Sequence, residues 1–265
     1  MSTYNWNAKD YEENSRAQQK WAGELIEKMQ LKGTEDVLDV GCGDGKVTAE
    51  IARLVCNGSV IGVDNSASMI ALAKDHYPRS KYRNLSFKVM DARSLSIEKR
   101  FDWVFSNAAL HWVKNHQPVL EGLYKSLKPG GKILLQMGGK GNADRVVAVV
   151  EELQTNSEWR PYFSNFEFPY GFFGAEEYGQ FLSDCGFDIK RAELIPKDME
   201  HSGKAGLEGW IRTTWLPYTQ RVPEEKRDEF IEAISAKYLK SSPMDPDGKV
   251  HVAMVRLEIE AEKVA

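Results

Sequence analysis

Residues 37–45 read VLDVGCGDG, a short apolar run that ends in glycines at positions 41, 43 and 45. Glycine loses more conformational freedom on folding than any other residue, so three in five positions need a physical reason. The stretch that follows, Lys46–Val55, carries Val47, Ile51, Leu54 and Val55 at helical spacing. A strand that turns through glycines into a helix is the opening of a βαβ unit. The loop either brings a ligand close to backbone N–H groups at a helix N-terminus or lets the chain turn sharply.

The same rhythm recurs along the chain. Short apolar runs at Val37–Val40, Val60–Asp64, Leu85–Asp91, Phe101–Asn107 and Ile133–Met137 predict strands. Several are rich in Val, Ile and Phe, as buried strands are. Between them, Ser66–His76 reads as a helix with Ser66 as its cap, and Pro118–Leu127 as a helix stopped by Lys128-Pro-Gly-Gly131. The alternation predicts an α/β fold, a doubly wound Rossmann-like parallel sheet with helices on both faces. A helix over Tyr11–Leu31 precedes it. After it come helices at Asn142–Leu153 and Ala175–Asp184, and strands at Phe187–Ile195 and Val250–Ile259. A helical, aromatic stretch at 206–239 lies between those last strands. The expected organisation is a single domain over 1–265. Within it, 1–33 is an N-terminal helical segment over the site, 34–140 a ligand-binding core, and 141–265 a C-terminal part with a helical cover at about 206–240.

In such a sheet ligands bind beyond the carboxyl ends of the strands. Four predicted strand ends carry suitable groups: the Gly41–Gly45 loop, Asp64, Asp91 and Asn107. Asp64 can accept two hydrogen bonds from a ribose diol, Asp91 one from an adenine amino group, and Met69 can pack on a purine face. Each acid taken alone is equally a helix cap or a turn former. Asp39, two residues before Gly41, either takes a charged amine or orients the loop. The spacing excludes two cofactor classes. A nicotinamide fingerprint wants glycine at position 46, where lysine stands, and Gly45-Lys46-Val47 is not the ending of a phosphate-binding P-loop.

Composition narrows the partners. With 35 Lys and Arg against 39 Asp and Glu, the chain has no cationic excess to bind nucleic acid. Three cysteines without regular spacing argue against a disulfide scaffold and against a zinc knuckle, and no metal-ligand cluster is read from the sequence. No apolar run approaches the ~20 residues that span a bilayer, and the N-terminus lacks a signal-peptide layout. A cytoplasmic location without membrane or nucleic-acid partners is the expectation.

VLDVGCGDG, VIGVDNSASM, FKVMDARSL, FDWVFSNAALHW and LKPGGKILL resemble, in order and spacing, the motifs of class I S-adenosylmethionine-dependent methyltransferases. The resemblance covers residues 37–135. It implies a seven-stranded sheet whose last strand is antiparallel, with S-adenosylmethionine as cofactor and S-adenosylhomocysteine as product. It also implies that the Gly41–Gly43 backbone, Cys42 included, approaches the methionyl part and that Asp64, with Asn65 beside it, binds the ribose. Met69 would lie against adenine, Asp91 and Ala92 at its rim, and Asn107 near the methionyl amine. Tyr11 and Asp39 join this cofactor set.

The flanks YNWNAKDYEENSRAQQKW and NAALHWVKNHQPVLEGLYKSLKPGG, with LEGWIRTTWLPYTQRVPEEKRDEFIEAI, are similar to the trans-aconitate and juvenile-hormone-acid carboxyl methyltransferases. In that group a helix glutamine and the tryptophan after a histidine hold the substrate carboxylate; the matching residues are Gln18, with Gln19 as its neighbouring rival, and Trp112. Tyr11 and Gln18 are seven apart, so they share a helix face. Indole and amide N–H groups suit an anionic acceptor, and a carboxylic acid is already ionised at neutral pH, so no strong general base is demanded. His111 is either a chemical participant or a packed turn residue. Arg212 either pairs with a second substrate carboxylate or lies in a surface ion pair, and Trp215 joins it as a pocket candidate. The aromatic run Tyr162–Phe173 either lines a lipid-like pocket or closes the core. The expected partner is a small carboxylic acid, aconitate-like or fatty-acid-like. Other acceptors (acyl-carrier-bound malonate, nitrogen or carbon) and a non-catalytic cofactor-binding module compete with it.

Overall fold

The computed structural model describes residues 16–97 and 100–264, with side chains from Trp21 onward. Tyr11 lies outside the described residues, and so do the side chains of Gln18 and Gln19. The chain divides into two compact units. One holds Gln18–Lys140, Tyr170–Ile195 and Arg256–Ala265; the other holds Gly141–Pro169 and Pro196–Val255.

The first unit contains the sheet. Its strands are β1 (Asp36–Val40), β2 (Ser59–Asp64), β3 (Leu85–Val89), β4 (Phe101–Asn107) and β5 (Leu127–Gly138), joined by most of β6 (Phe187–Ser202) and β7 (Lys249–Lys263). The order across the sheet is β3-β2-β1-β4-β5-β7-β6. The pairs β1–β2, β2–β3, β1–β4 and β4–β5 are parallel, and β7 runs antiparallel to β5. Strand order therefore reverses at β1, and the crevice at the carboxyl ends of β1 and β4 is the switch point where such sheets take ligands.

Helices α1 (Arg16–Lys28), α2 (Lys46–Leu54), α3 (Ala67–His76) and α4 (Gln117–Ser126) alternate with the strands. Successive strand residues feed opposite faces, as a period of two requires. Val37 and Phe105 join one buried cluster with Leu25, Ile26 and Ile51; Leu38 and Val104 join the other with Leu120 and Leu123. Truncating a fully buried leucine such as Leu38 to alanine costs ~3 kcal/mol in cores of this kind. Helix α3 begins where the sequence predicts, because the Ser66 hydroxyl accepts from the Met69 N–H at 3.3 Å.

Three element boundaries differ from the sequence reading. Helix α1 ends at Lys28, short of the predicted end at Leu31. Lys128-Pro-Gly-Gly131 does not separate α4 from β5; the strand starts at Leu127 and slips register against β4 between Phe101 and Trp103. Strand β6 extends past Ile195 to Ser202, although Pro196 lies within it.

The second unit is mainly helical: α5 (Asp144–Thr155), α7 (Gly203–Thr214), α8 (Leu216–Thr219) and α9 (Arg227–Ser241). The helix α6 (Ala175–Asp184) belongs to the sheet unit. The helical stretch predicted at 206–239 is thus three helices, broken at Trp215 because Pro217 can occupy only the first turn of a new one. Phe230 packs on Trp159 and Phe163, with ring centroids 4.9 and 5.5 Å away, so part of the aromatic run closes this core.

Candidate functional site

The three loop glycines meet different neighbours. All have positive φ: +79° at Gly41, +54° at Gly43 and +81° at Gly45. A Cβ on Gly41 would lie 2.1 Å from the Ala109 Cβ, and one on Gly45 would lie 2.6 Å from the Phe87 ring. Those two glycines make room for the protein's own chain. A Cβ on Gly43 would meet nothing within 4 Å, so the open cradle is at Gly43. Gly45, the residue before α2, makes the turn.

The loop's N–H groups are largely spent within the protein. Gly41 and Cys42 both donate to the Val63 carbonyl, at 2.8 and 3.0 Å, and Gly45 donates to the Cys42 carbonyl. Gly43 donates to Asp64 Oδ2 at 3.0 Å, while Ser66 donates to Asp64 Oδ1 at 2.8 Å. The Asp64 carboxylate therefore clamps the β1–α2 loop to the β2–α3 loop and retains a lone pair on each oxygen for further donors. Burial pushes its carboxyl up, against the pull of those backbone bonds.

Asp39 is 2% exposed and accepts from the Thr48 hydroxyl at 2.6 Å, which ties β1 to the first turn of α2. Burial pushes its carboxyl up to about 7. Of the two roles the sequence left open for Asp39, this geometry serves loop orientation. The Cys42 side chain turns into the core, its Cβ and Sγ 3.0 Å from a Cβ built on Gly62. Asn65 is exposed in the turn after Asp64, and Met69 is buried in the first turn of α3.

Asp91 caps the single turn Ala92–Ser94, its Oδ1 accepting from the Arg93 N–H at 2.9 Å. Its carboxylate also takes the Arg93 guanidinium on both oxygens, and this pairing holds its pKa below the usual range. An adenine amino group would share this carboxylate with an exposed arginine.

Strand β4 ends at Asn107, and one 3-10 turn, Leu110–Trp112, follows. His116, which the sequence reading did not single out, staples that turn. Its Nε2 faces the Leu110 and Val113 carbonyls at 3.0 Å each, and its Nδ1 faces the Tyr178 hydroxyl at 2.9 Å. Two carbonyls can only accept, so Nε2 carries the proton and Nδ1 accepts from Tyr178. Burial lowers the His116 pKa to about 4.

His111 lies among Trp112, Tyr170 and Phe172, with ring centroids 5.7, 6.1 and 6.1 Å away. The Gly138 N–H donates to His111 Nδ1 at 3.4 Å, a long bond that assigns the neutral ring a proton on Nε2. Burial first, then the charges of Arg256 and His116, keeps the imidazole well below its ordinary pKa. Trp112 meets Tyr170 edge-on at 5.1 Å. The Gly171 N–H donates to the His111 carbonyl, and the Lys140 N–H to the Phe173 carbonyl, so the aromatic segment is strapped to this turn.

Beside this turn is a buried polar group that the sequence reading also missed. Glu258 is 2% exposed and accepts from Lys28 Nζ at 2.5 Å, from Gln136 Nε2 at 3.1 Å and from Arg191 Nη1. Burial alone would raise its carboxyl, but these three donors hold it below the usual range. Arg256, two residues earlier on the same face, is buried with its guanidinium 5.5 Å above the Trp21 ring. In VRLEIEAE these charged residues alternate with apolar ones, and α1 covers their face.

In the helical unit, Trp215 is buried against Trp210 and Tyr218, with ring centroids 5.6 and 5.4 Å away. Arg212 is exposed on α7, between buried Ile211 and buried Thr213. A cleft of about 470 Å³ lined by Lys28, Trp103, Lys132 and Arg191 lies toward the amino ends of β4 and β5, away from the motif loops. Among the described residues no cluster of three or more His, Cys, Asp or Glu could hold a metal ion, and no helix is long and apolar enough to cross a membrane.

The arrangement at the β1–β4 crevice fits a nucleoside bearing an amino-acid tail. Gly43 leaves an open cradle, Asp64 has spare acceptor capacity for a diol, and the loop beyond Asn107 brings aromatic rings and N–H donors. Comparison with known proteins agrees. A methyltransferase domain model matches residues 31–198. Juvenile hormone acid O-methyltransferase of Drosophila melanogaster is 30% identical over 233 residues, covering 82% of this chain and 76% of its own. Trans-aconitate 2-methyltransferase of Variovorax paradoxus (strain S110) is 25% identical over 271 residues, covering 98% and 99% of the two chains. Two solved structures share the fold. The YcgJ protein of Bacillus subtilis has a TM-score of 0.63 at 17% identity, covering 93% of this chain and 99% of its own. Haemonchus contortus phosphoethanolamine N-methyltransferase 2, in complex with phosphomonomethylethanolamine and S-adenosylhomocysteine, has a TM-score of 0.62 at 20% identity, covering 97% and 57%. The chain belongs to the methyltransferase domain family and is an S-adenosylmethionine-dependent methyltransferase.

Proposed function

We propose that the chain O-methylates the carboxylate of a small organic acid to its methyl ester. The observation that carries this reading is the protonation pattern of the His111–Trp112 turn. The imidazole in that aromatic cluster is held neutral, with its Nδ1 lone pair directed at the Gly138 N–H. Trp112 and His111 thus offer N–H donors, and the cluster offers no poised base. Donors without a base suit an acceptor that arrives as an anion. The printed activities of the two relatives, on juvenile hormone acid and on trans-aconitate, point the same way.

S-adenosylmethionine, when bound, supplies an electrophilic methyl group on a sulfonium. The protein's part is to hold and to dry. Asp64 holds the ribose hydroxyls, the open side of Gly43 accommodates the methionyl part, and Asn107 lies near its amine. Met69, Asn65, Ala92 and Asp91 border the adenosine, and Gln18 and Tyr11 contribute from the N-terminal segment. Trp112, with Gln18, orients one carboxylate oxygen, while Tyr170 and Phe172 keep water from it. Positioning of this kind lowers a barrier by restricting the reactants to the reactive geometry. The stacked rings of Tyr170 and Phe172 favour an acid with an apolar or planar body.

The test is a panel of organic acids, from short diacids to long-chain and terpenoid monoacids, incubated with methyl-labelled cofactor. Label that mild alkali releases as methanol is the expected product. Label that resists alkali on amines or ring carbons, or no transfer to any acid, would contradict the proposal.

A further inference from the structure

Three polar residues share one row on the α1 face of the sheet. Asn107, ending β4, is in register with Gln136 on β5, and Gln136 is in register with Glu258 on β7. Because Asp39 is in register with Phe105, the row lies level with the start of the glycine loop. Gln136 is 2% exposed. Its Nε2 donates to Glu258 Oε2, and a carboxylate only accepts, so the amide is locked in one orientation. Lys28 and Arg191 pin Glu258 in turn. The Gln136 Oε1 is therefore turned away from Glu258, and it is buried without a hydrogen-bond donor among the described residues. An acceptor locked, buried and left without a donor is costly to keep, which makes a ligand the natural donor.

We infer that Gln136 is a cofactor-binding residue whose Oε1 accepts a hydrogen bond from the α-ammonium of the methionyl end, oriented by Glu258. The inference rests on S-adenosylmethionine as the cofactor. A carboxylate acceptor brings no donor, whereas the ammonium brings three. The hydrogen bond from Nε2 to the Glu258 carboxylate polarises the amide and strengthens Oε1 as an acceptor. Gln136 is thereby distinguished from the strand-end residues Asp64 and Asp91, which serve the nucleoside.

Calorimetric binding of S-adenosylhomocysteine and of its analogue without the α-amino group tests this on wild type, Gln136→Leu and Gln136→Met. Wild type should lose about tenfold or more in affinity on removal of the amine, the size expected for one bond to a charged donor. Both variants should bind the parent about tenfold more weakly and lose threefold or less on removal of the amine. Gln136→Met, unbranched and of similar length, keeps the test available if Gln136→Leu does not fold. Variants that keep the wild-type discrimination overturn the inference, and so does wild type that binds the two ligands equally. Neither readout involves an acceptor, so its failure leaves the carboxyl reading standing, and failure of that reading leaves this result intact.

Discussion

The carboxyl ends of β1 and β2 are built differently from those of β4 and β5. At β1–β2 the working groups are a carboxylate and backbone N–H groups from adjacent loops: Asp64 bonded to Gly43 and Ser66, with Gly41 and Cys42 bonded to Val63. At β4–β5 they are side chains brought together from distant segments, His116 with Tyr178 and Gln136 with Glu258. The first construction places groups by local backbone geometry. The second places them by hydrogen bonds between buried side chains far apart in sequence. A nucleoside common to many enzymes can be held by a stereotyped loop, whereas the β4–β5 end has its polarity set residue by residue.

The sharpest way to break that comparison is at Asp64. Asp64→Ala removes a clamp on two loops together with the diol acceptor. Calorimetry should show S-adenosylhomocysteine binding weakened by about 100-fold or more, with Asp64→Asn intermediate. Unchanged affinity would remove the β1–β2 end from the cofactor site.

The second effect concerns the glycines. Gly41→Ala should cost on the order of 3 kcal/mol of stability, because it adds a clash with Ala109 to an unfavourable φ. Gly43→Ala should cost only about 1 kcal/mol, from backbone conformation alone, yet weaken cofactor binding more than its stability loss explains. Urea unfolding beside calorimetry separates the two, and equal behaviour at both positions would erase the distinction between them.

The third concerns pH. His116 has a folded pKa of about 4, against an unfolded value near 6.5. Between these values the unfolded chain binds more protons, so stability rises with pH through this window and falls as pH drops from about 6.5 toward 4. The contribution of this one buried group is on the order of 3 kcal/mol. His116→Gln should lower stability at pH 7.5 and flatten that slope. A slope as steep as wild type would mean that other groups carry it.

The smallest effect is at Arg93, whose side chain is exposed. Arg93→Ala frees the Asp91 carboxylate and should leave cofactor affinity within about threefold, since exposed ion pairs contribute ~0–1 kcal/mol. A loss of tenfold would make Arg93 itself part of the adenine rim.

The same contrast explains what could be read from sequence. The strand–helix rhythm, the strand β4 and the Ser66 cap are local patterns, and apart from the early start of β5 they reappear in the structure within a residue or two. The glycine motif located the loop, but not which glycine is open, because that depends on Ala109 and Phe87 approaching from other loops and strands. His116, Gln136 and Glu258 carry no local signal. A polar residue alternating along a strand normally faces water, and only the placement of α1 over β7 reverses that. The helix break at Trp215 was legible because proline enforces it, whereas the extension of β6 beyond Pro196 was not.

The proposed acceptor is bound as an anion and is not deprotonated by the enzyme. The most direct measurement is kcat/KM from about pH 5.5 to 9 with the acid that the panel selects, in wild type and in Asp39→Asn, since Asp39 itself titrates at about 7. A flat profile in Asp39→Asn is predicted, because a carboxylic acid with a pKa near ~4 is ionised throughout. A limb rising tenfold per unit through neutral pH that persists in Asp39→Asn would reveal a required base and contradict the account.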